Sequence, residues 1–221
     1  MTAPIRQTFD EQLAALQEDV VRMGSLAAQA VHTAIRALAE GNVELCDQVM
    51  QIENEIDALN LDIELRATQL LALQQPMARD LRTIASVMRI IADIERIGDY
   101  SVDTAKQAHA LAGHPLMKPL VDIPRMADLV EKMLHDSLAA FVARDLNLAM
   151  QAVQMDDEVD HAFRSLHDEL QEFIRRDPSL TSQAISLLLI GVYLERMADH
   201  VTNIGERIWY METGELKELH E

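Results

Sequence analysis

The chain has 221 residues, with 37 acidic against 19 basic side chains and a formal net charge of −18. So acidic a surface repels nucleic-acid phosphates, which excludes non-specific nucleic-acid binding and leaves cations and basic protein surfaces as fitting partners. Hydrophobic residues make up 49% and aromatics only 4%. With Ala, Leu, Met, Glu and Gln plentiful and Gly and Pro scarce, an all-α globular protein is expected.

Apolar residues recur at helical intervals from Phe9 onward: Leu13, Leu16, Val20, Met23, Ala27, Val31, Ile35 and Leu38. Gly41-Asn42 reads as the stop of this first helix. A second helix runs from about Val43 to Leu73, through Val49, Ile52, Ile56, Leu59 and Ile63, and Gln75-Pro76 breaks it. A third runs from about Met77 to near Gly113. The stretch from Gly113 to Pro124 is densest in Pro and Gly and reads as a linker. A fourth helix starts near Pro124, a fifth ends at Asp177-Pro178, and a sixth runs to about Glu212 with Gly214 as its stop.

The second half repeats the first. Ile94-Glu-Arg-Ile-Gly-Asp99 is matched by Leu194-Glu-Arg-Met-Ala-Asp199, and Gln48–Asp57 by Gln151–Asp160. The expectation is a tandem duplication of an antiparallel three-helix bundle, six long helices in all, with 1–115 as one bundle and 116–221 as the other. The single cysteine, Cys46, leaves no internal disulfide and suits a reducing compartment. No signal-peptide pattern opens the chain, and no apolar run reaches the ~18 residues of a membrane span.

Each copy carries acids four residues apart. Glu95, Asp99 and Asp103 follow one another on one side of the third helix, and Glu195, Asp199 and Asn203 on the sixth. With Glu95 at zero on a wheel of about 100° per residue, Asp99 lies at about 40° and Asp103 at about 80°. Leu81, Ile84, Met88, Ile91 and Val102 fall near Glu95 on that wheel, whereas Arg82, Arg89, Asp93 and Arg96 fall well off it. Glu53 and Asp57 share a stripe with Val49 and Ile56. Asp156 and Asp160 share one with Val153 and Val159. Carboxylates at the edge of an apolar stripe must protonate, pair with a base or meet a metal. For any one pair a solvated, salt-bridged face is the plain alternative.

Hard oxygen donors suit magnesium, manganese or calcium, and clustered carboxylates also suit iron. The histidines add little. Glu158-Val-Asp-His161 is the one Glu-x-x-His on a helix, where a ferritin-like di-iron centre needs two. His167 falls on the face of Asp160, as a ligand or as a satisfied core histidine. No Gly-rich phosphate loop, nucleophile elbow or zinc-type Cys/His spacing is present.

The duplicated Glu-Arg-x-x-Asp motif, Gln75-Pro-Met-Ala-Arg-Asp-Leu-Arg82 before its first copy, and Glu195–Glu206 in the second resemble the PhoU family from about Phe9 to Glu212. The resemblance implies two three-helix bundles, often as a homodimer. It implies a cytoplasmic regulator, peripheral at the membrane, that represses the phosphate-starvation response rather than an enzyme. Its implied partners are a phosphate ABC transporter ATPase and a sensor histidine kinase. It also implies metal ions, divalent or ferric, with iron, zinc, manganese and magnesium as candidates. Carried onto this chain, the ligands are Glu95, Asp99 and Asp103 at one site and Glu195, Asp199 and Asn203 at the other, with Glu53, Asp57, Asp156 and Asp160 beside them. Asn203 puts an amide where the first copy has a carboxylate, and the Gln-Pro-Met-Ala-Arg-Asp-Leu-Arg start has no counterpart in the second copy. A metal-dependent enzyme and an accessory of a low-affinity phosphate carrier are the competing readings.

Overall fold

A computed structural model of the chain describes residues 3–74 and 76–219. It has α1 (Ala3–Glu40), α2 (Val43–Gln74), α3 (Ala78–Leu111), α4 (Asp122–Ala143), α5 (Leu146–Gln154), α6 (Asp156–Arg176) and α7 (Thr181–Thr213), with a 3-10 turn at Pro178–Leu180 and no strand among the described residues. The expected stops are where the residues require them. Gly41 and Gly214 take positive φ just past α1 and α7, a backbone that glycine adopts without a Cβ penalty. The Asn42 side chain then accepts the backbone N–H of Glu44 and caps α2. Asp177 closes α6, and its carboxylate accepts the N–H of Ser179.

The expected fifth helix is split at Met155 into α5 and α6. The Met155 carbonyl accepts from Glu158 and Val159, so a fresh helix starts there. Asp156, Asp157 and Glu158 stand in its first turn, where the positive end of the helix dipole favours acids. The first copy has one continuous α2 at this place.

Helices α1, α2 and α3 pack on one another, as do α4 to α7. The most extensive packing of any pair is α3 against α7, and α1 also meets α4. The result is a row, α2–α3–α7–α6, backed by α1 and α4. Across the seam, Arg79 meets Glu212, Ser86 meets Arg207 and Asp93 meets His200, so α3 and α7 run antiparallel. All eight residues that the sequence assigns to the α1 core after Phe9 are buried. At Gly24 on α1 an added Cβ would stand 2.5 Å from Leu138 Cδ1 on α4, so glycine permits that close crossing. One hydrophobic core runs through both halves.

Candidate functional site

Glu53 and Asp57 on α2 face Glu95 and Asp99 on α3. The helices approach closely here: a Cβ on Gly98 would lie 3.2 Å from Ile56 Cδ1 and 3.9 Å from Glu53 Cγ. Burial pushes the Glu53 carboxyl above its ordinary value, and the charges of Asp57, Asp99 and Glu95 push it further. Glu95 is raised by burial and then by Asp99, with Arg96 opposing. Arg96 Nη1 donates to Asp99 at 3.0 Å, and Lys106 Nζ to Asp103 at 2.7 Å. Asp103 thus points outward to Lys106.

The second ladder is built the same way, from α6 and α7, with one acid fewer because Asn203 stands where the first has Asp103. Burial raises Glu195, Asp199 and Asp160 add to the rise, and Arg196 opposes it. Arg196 lies 3.7 Å from Asp199. Asp156, the first residue of α6, is buried. Asn203 turns the other way, toward α3, and its amide donates to Asp93 at 3.2 Å.

Oxygen donors in a field of one sign fit a hard cation, because a cation relieves the repulsion that raises Glu53, Glu95 and Glu195. Among the described residues, no three carboxylate, histidine or cysteine side chains are drawn together closely enough to hold one ion. Asp99, Asp103 and Asp199 are turned to arginine or lysine instead, so an ion at the ladders would have to replace Arg96 or Arg196 as a partner.

The sequence reading passed over a second polar site. Asp93 accepts from His200 Nδ1 at 2.9 Å and from Asn203. Beside it Tyr100 stacks on Tyr193 at 5.9 Å between ring centroids and leans on His200. A wheel centred on the core stripe places Asp93 outside, because it cannot see that α3 has a second covered face. The duplication held the signal: Asp93 and Tyr100 correspond to Tyr193 and His200.

At the end of the bundle, Arg79 and Arg144 both donate to Glu212, at 2.8 and 2.7 Å, and Arg82 donates to the carbonyl of Met211. Arg79 and Arg82 of the first copy, with Arg144 of the second, therefore hold the end of α7. Arg144 is left-handed, φ 56°, at the place where the first copy has Gly41. His167 is a surface residue bonded to Asp168, which corrects its reading as a core histidine.

No described helix is long and apolar enough to cross a membrane. A family model described as the PhoU domain matches the chain twice, over residues 20–108 and 123–208. A "Phosphate-specific transport system accessory protein PhoU homolog" from Synechocystis sp. is 35% identical over 211 residues, which span 96% of this chain and 94% of the relative. The crystal structure of PhoU from Pseudomonas aeruginosa superposes with a TM-score of 0.90 at 30% identity, covering 94% of this chain and all of that one. The phosphate transport system regulatory protein PhoU from Streptococcus pneumoniae superposes with a TM-score of 0.87 at 31% identity, over 95% and 99% of the two chains. The motif repeated in α3 and α7, the two domain matches and the near full-length likeness agree: the chain belongs to the PhoU family.

Proposed function

We infer that this protein is an accessory of a phosphate transport system that represses the phosphate-starvation response from the cytoplasm. It does so as an adaptor between the transporter ATPase and a sensor histidine kinase. The full-length likeness to transport-system accessory proteins carries the reading. The acid ladders add a mechanism. Metal ions held by Glu53, Asp57, Glu95 and Asp99, and by Asp156, Asp160, Glu195 and Asp199, would supply positive charge and stiffen the row, whereas Asp103 and Asn203 are turned away to Lys106 and Asp93. An ion there would take the place of Arg96 and Arg196 as the partner of Asp99 and Asp199. Signal then passes as a population shift, which requires different affinities for two partner states.

The test is a reporter strain for starvation genes in phosphate-rich medium. Deletion of the gene, with no paralogue present, should switch the reporter on. Unchanged repression would reject the regulatory role. Size-exclusion chromatography with light scattering tests the homodimer, and elemental analysis of protein purified without chelator tests the metal.

A further inference from the structure

We infer that the outer face of α2 is a docking surface for a basic amphipathic helix of another protein, seated on Met50, Leu61 and Leu65 and held by the acids on either side of them.

Helix α2 is the edge of the row. Among the described residues it packs only on α1 and α3, so its outer side has no partner within the chain. With Leu65 at zero on a wheel of about 100° per residue, Met50, Ala58, Leu61, Thr68 and Ala72 all fall within about 60° of it. Met50, Leu61 and Leu65 are 50%, 67% and 58% exposed, and Ala58, Thr68 and Ala72 are exposed along the same line. From Met50 to Ala72 the stripe is about 33 Å long at ~1.5 Å per residue.

The duplication supplies a comparison. At the offset that matches Gln48–Asp57 to Gln151–Asp160, the counterparts of Ala58, Leu61, Leu65, Thr68 and Ala72 are His161, Arg164, Asp168, Gln171 and Arg175 on α6. All five are exposed. The matching edge helix therefore folds with a polar outer face, and nothing in the bundle calls for leucine at these places. Leucines one turn apart in water, on one copy alone, mark a surface that something else covers.

Charge names the occupant. Residues 43–65 hold seven acids and no lysine, arginine or histidine. Glu44, Glu55 and Asp62 lie about 60–80° to one side of Leu65, and Asp57 and Glu64 about 80–100° to the other. Among the described residues Glu44, Glu55 and Glu64 form no ion pair, and Asp62 has Arg66 at 2.9 Å. On α6 the acids have bases of their own: Asp160 has Arg164, and Glu172 has Arg175 and Arg176. A second copy of this chain would set the α2 acids against their own duplicates, and an anionic membrane surface would be repelled likewise. A helix with leucine-like side chains on one face and lysine or arginine at its margins satisfies the stripe and both of its borders. Its apolar anchors, three or four residues apart, would pack along α2 as one helix on another.

The experiment measures, by fluorescence anisotropy, binding of the full-length protein to a labelled peptide of about 22 residues, long enough to line the stripe, with leucine on one helical face and lysine on the other. A scrambled peptide of the same composition removes the face and keeps the charge. Leu61→Gln/Leu65→Gln is compared with Val142→Gln/Ile185→Gln, apolar residues as exposed but elsewhere on the surface, with helicity checked by circular dichroism. Glu55→Gln/Glu64→Gln tests the borders. The expected results are roughly tenfold weaker binding of the scrambled peptide, a similar loss for Leu61→Gln/Leu65→Gln, and affinity within about twofold of wild type for the Val142/Ile185 variant. The Glu55/Glu64 variant should bind more weakly and lose less on added salt. A leucine variant that binds like wild type, equal binding of the scrambled peptide, or no binding at all would overturn the docking surface. A dimer in light scattering that Leu61→Gln/Leu65→Gln dissolves would give the stripe to a second copy, and binding to phosphatidylglycerol vesicles lost in that variant would give it to lipid; either overturns the basic helix. The transport-accessory reading is decided separately, by the reporter strain.

Discussion

Asp93→Ala should destabilise the fold by about 2 kcal/mol. The carboxylate accepts from His200 Nδ1 at 2.9 Å and Asn203 Nδ2 at 3.2 Å, and the side chains of Asp93 and His200 are only 17% and 22% exposed. Hydrogen bonds to a charged group contribute about 1.5–3 kcal/mol each when buried. Water at the seam edge can replace part of both, which brings the loss to about 2 kcal/mol. For a chain of this size that lowers the melting temperature by about 4–8 °C. With a urea m-value of about 2–3 kcal/mol/M, the midpoint falls by about 0.7–1 M. The measurement is urea unfolding of chelator-treated protein followed by circular dichroism. Asp93→Asn keeps one acceptor oxygen and should lose about half as much. Asp168→Asn, at an 84% exposed partner of His167, should change stability by less than about 0.5 kcal/mol. If Asp93→Ala also stayed within about 0.5 kcal/mol of wild type, the seam bonds would not be contributing in solution.

Asp99→Ala combined with Asp199→Ala should sharply lower the metal bound per chain by elemental analysis; unchanged stoichiometry would remove the ladders as ligands. In the wild type, metal at about 100 times Kd adds about 2.7 kcal/mol, or about 5–11 °C in melting temperature, and this shift shrinks as pH falls because protons compete for the carboxylates. Without metal, the raised carboxyls of Glu53, Glu95 and Glu195 bind protons more tightly in the folded than in the unfolded chain. Their contribution is therefore full below the ordinary glutamate value and lost as pH rises through the raised ones. Glu53→Gln/Glu95→Gln/Glu195→Gln should gain on wild type in melting temperature as pH rises from about 4.5 to 7.5, and a pH-independent difference would contradict the burial and mutual repulsion that raise these carboxyls. Glu212→Ala leaves two arginines without their carboxylate and should lose about 1–2 kcal/mol. Arg144→Gly relieves a left-handed residue by about 1 kcal/mol and should come out near neutral in the same melt.

Most of the architecture was legible because it depends on local chemistry. The apolar spacing on α1 placed its buried face residue by residue, and Gly41, Gly214 and Asp177-Pro178 ended their helices for backbone reasons that a sequence carries. The split at Met155 was not legible, since no glycine or proline marks it. Arg144 was also hidden, because its left-handed backbone is tied to Glu212, far away in the chain. For the ladders, the wheel put Glu95 and Glu195 at the edge of the core, where they are 27% and 28% exposed, but it also put Leu81 on the apolar stripe, and the first turn of α3 leaves Leu81 exposed. It could not show that Asp99 would turn to Arg96, Asp103 to Lys106 and Asn203 to Asp93. Rotamers and neighbours across a second interface set those directions, and periodicity along one helix contains neither.

The α3–α7 seam also explains why a duplicated chain need not pair like with like. Two identical copies of α3, packed antiparallel in this register, would set Asp93 against Tyr100, which is where His200 stands in the real pair. The Asn203 donor would be lost, since its counterpart Asp103 is an acceptor and would repel Asp93. Glu212 has Ala112 as its counterpart, so Arg79 would find no carboxylate. Two copies of α7 fare no better: Tyr193 would meet His200, and Glu212 would face Ser179 in place of Arg79. The mixed pair satisfies Asp93 twice, stacks Tyr100 on Tyr193 and seats Glu212 between two arginines. Divergence at these few positions thus selects the pairing within the chain over the like-with-like alternatives, and it sets the two acid ladders on either side of one seam.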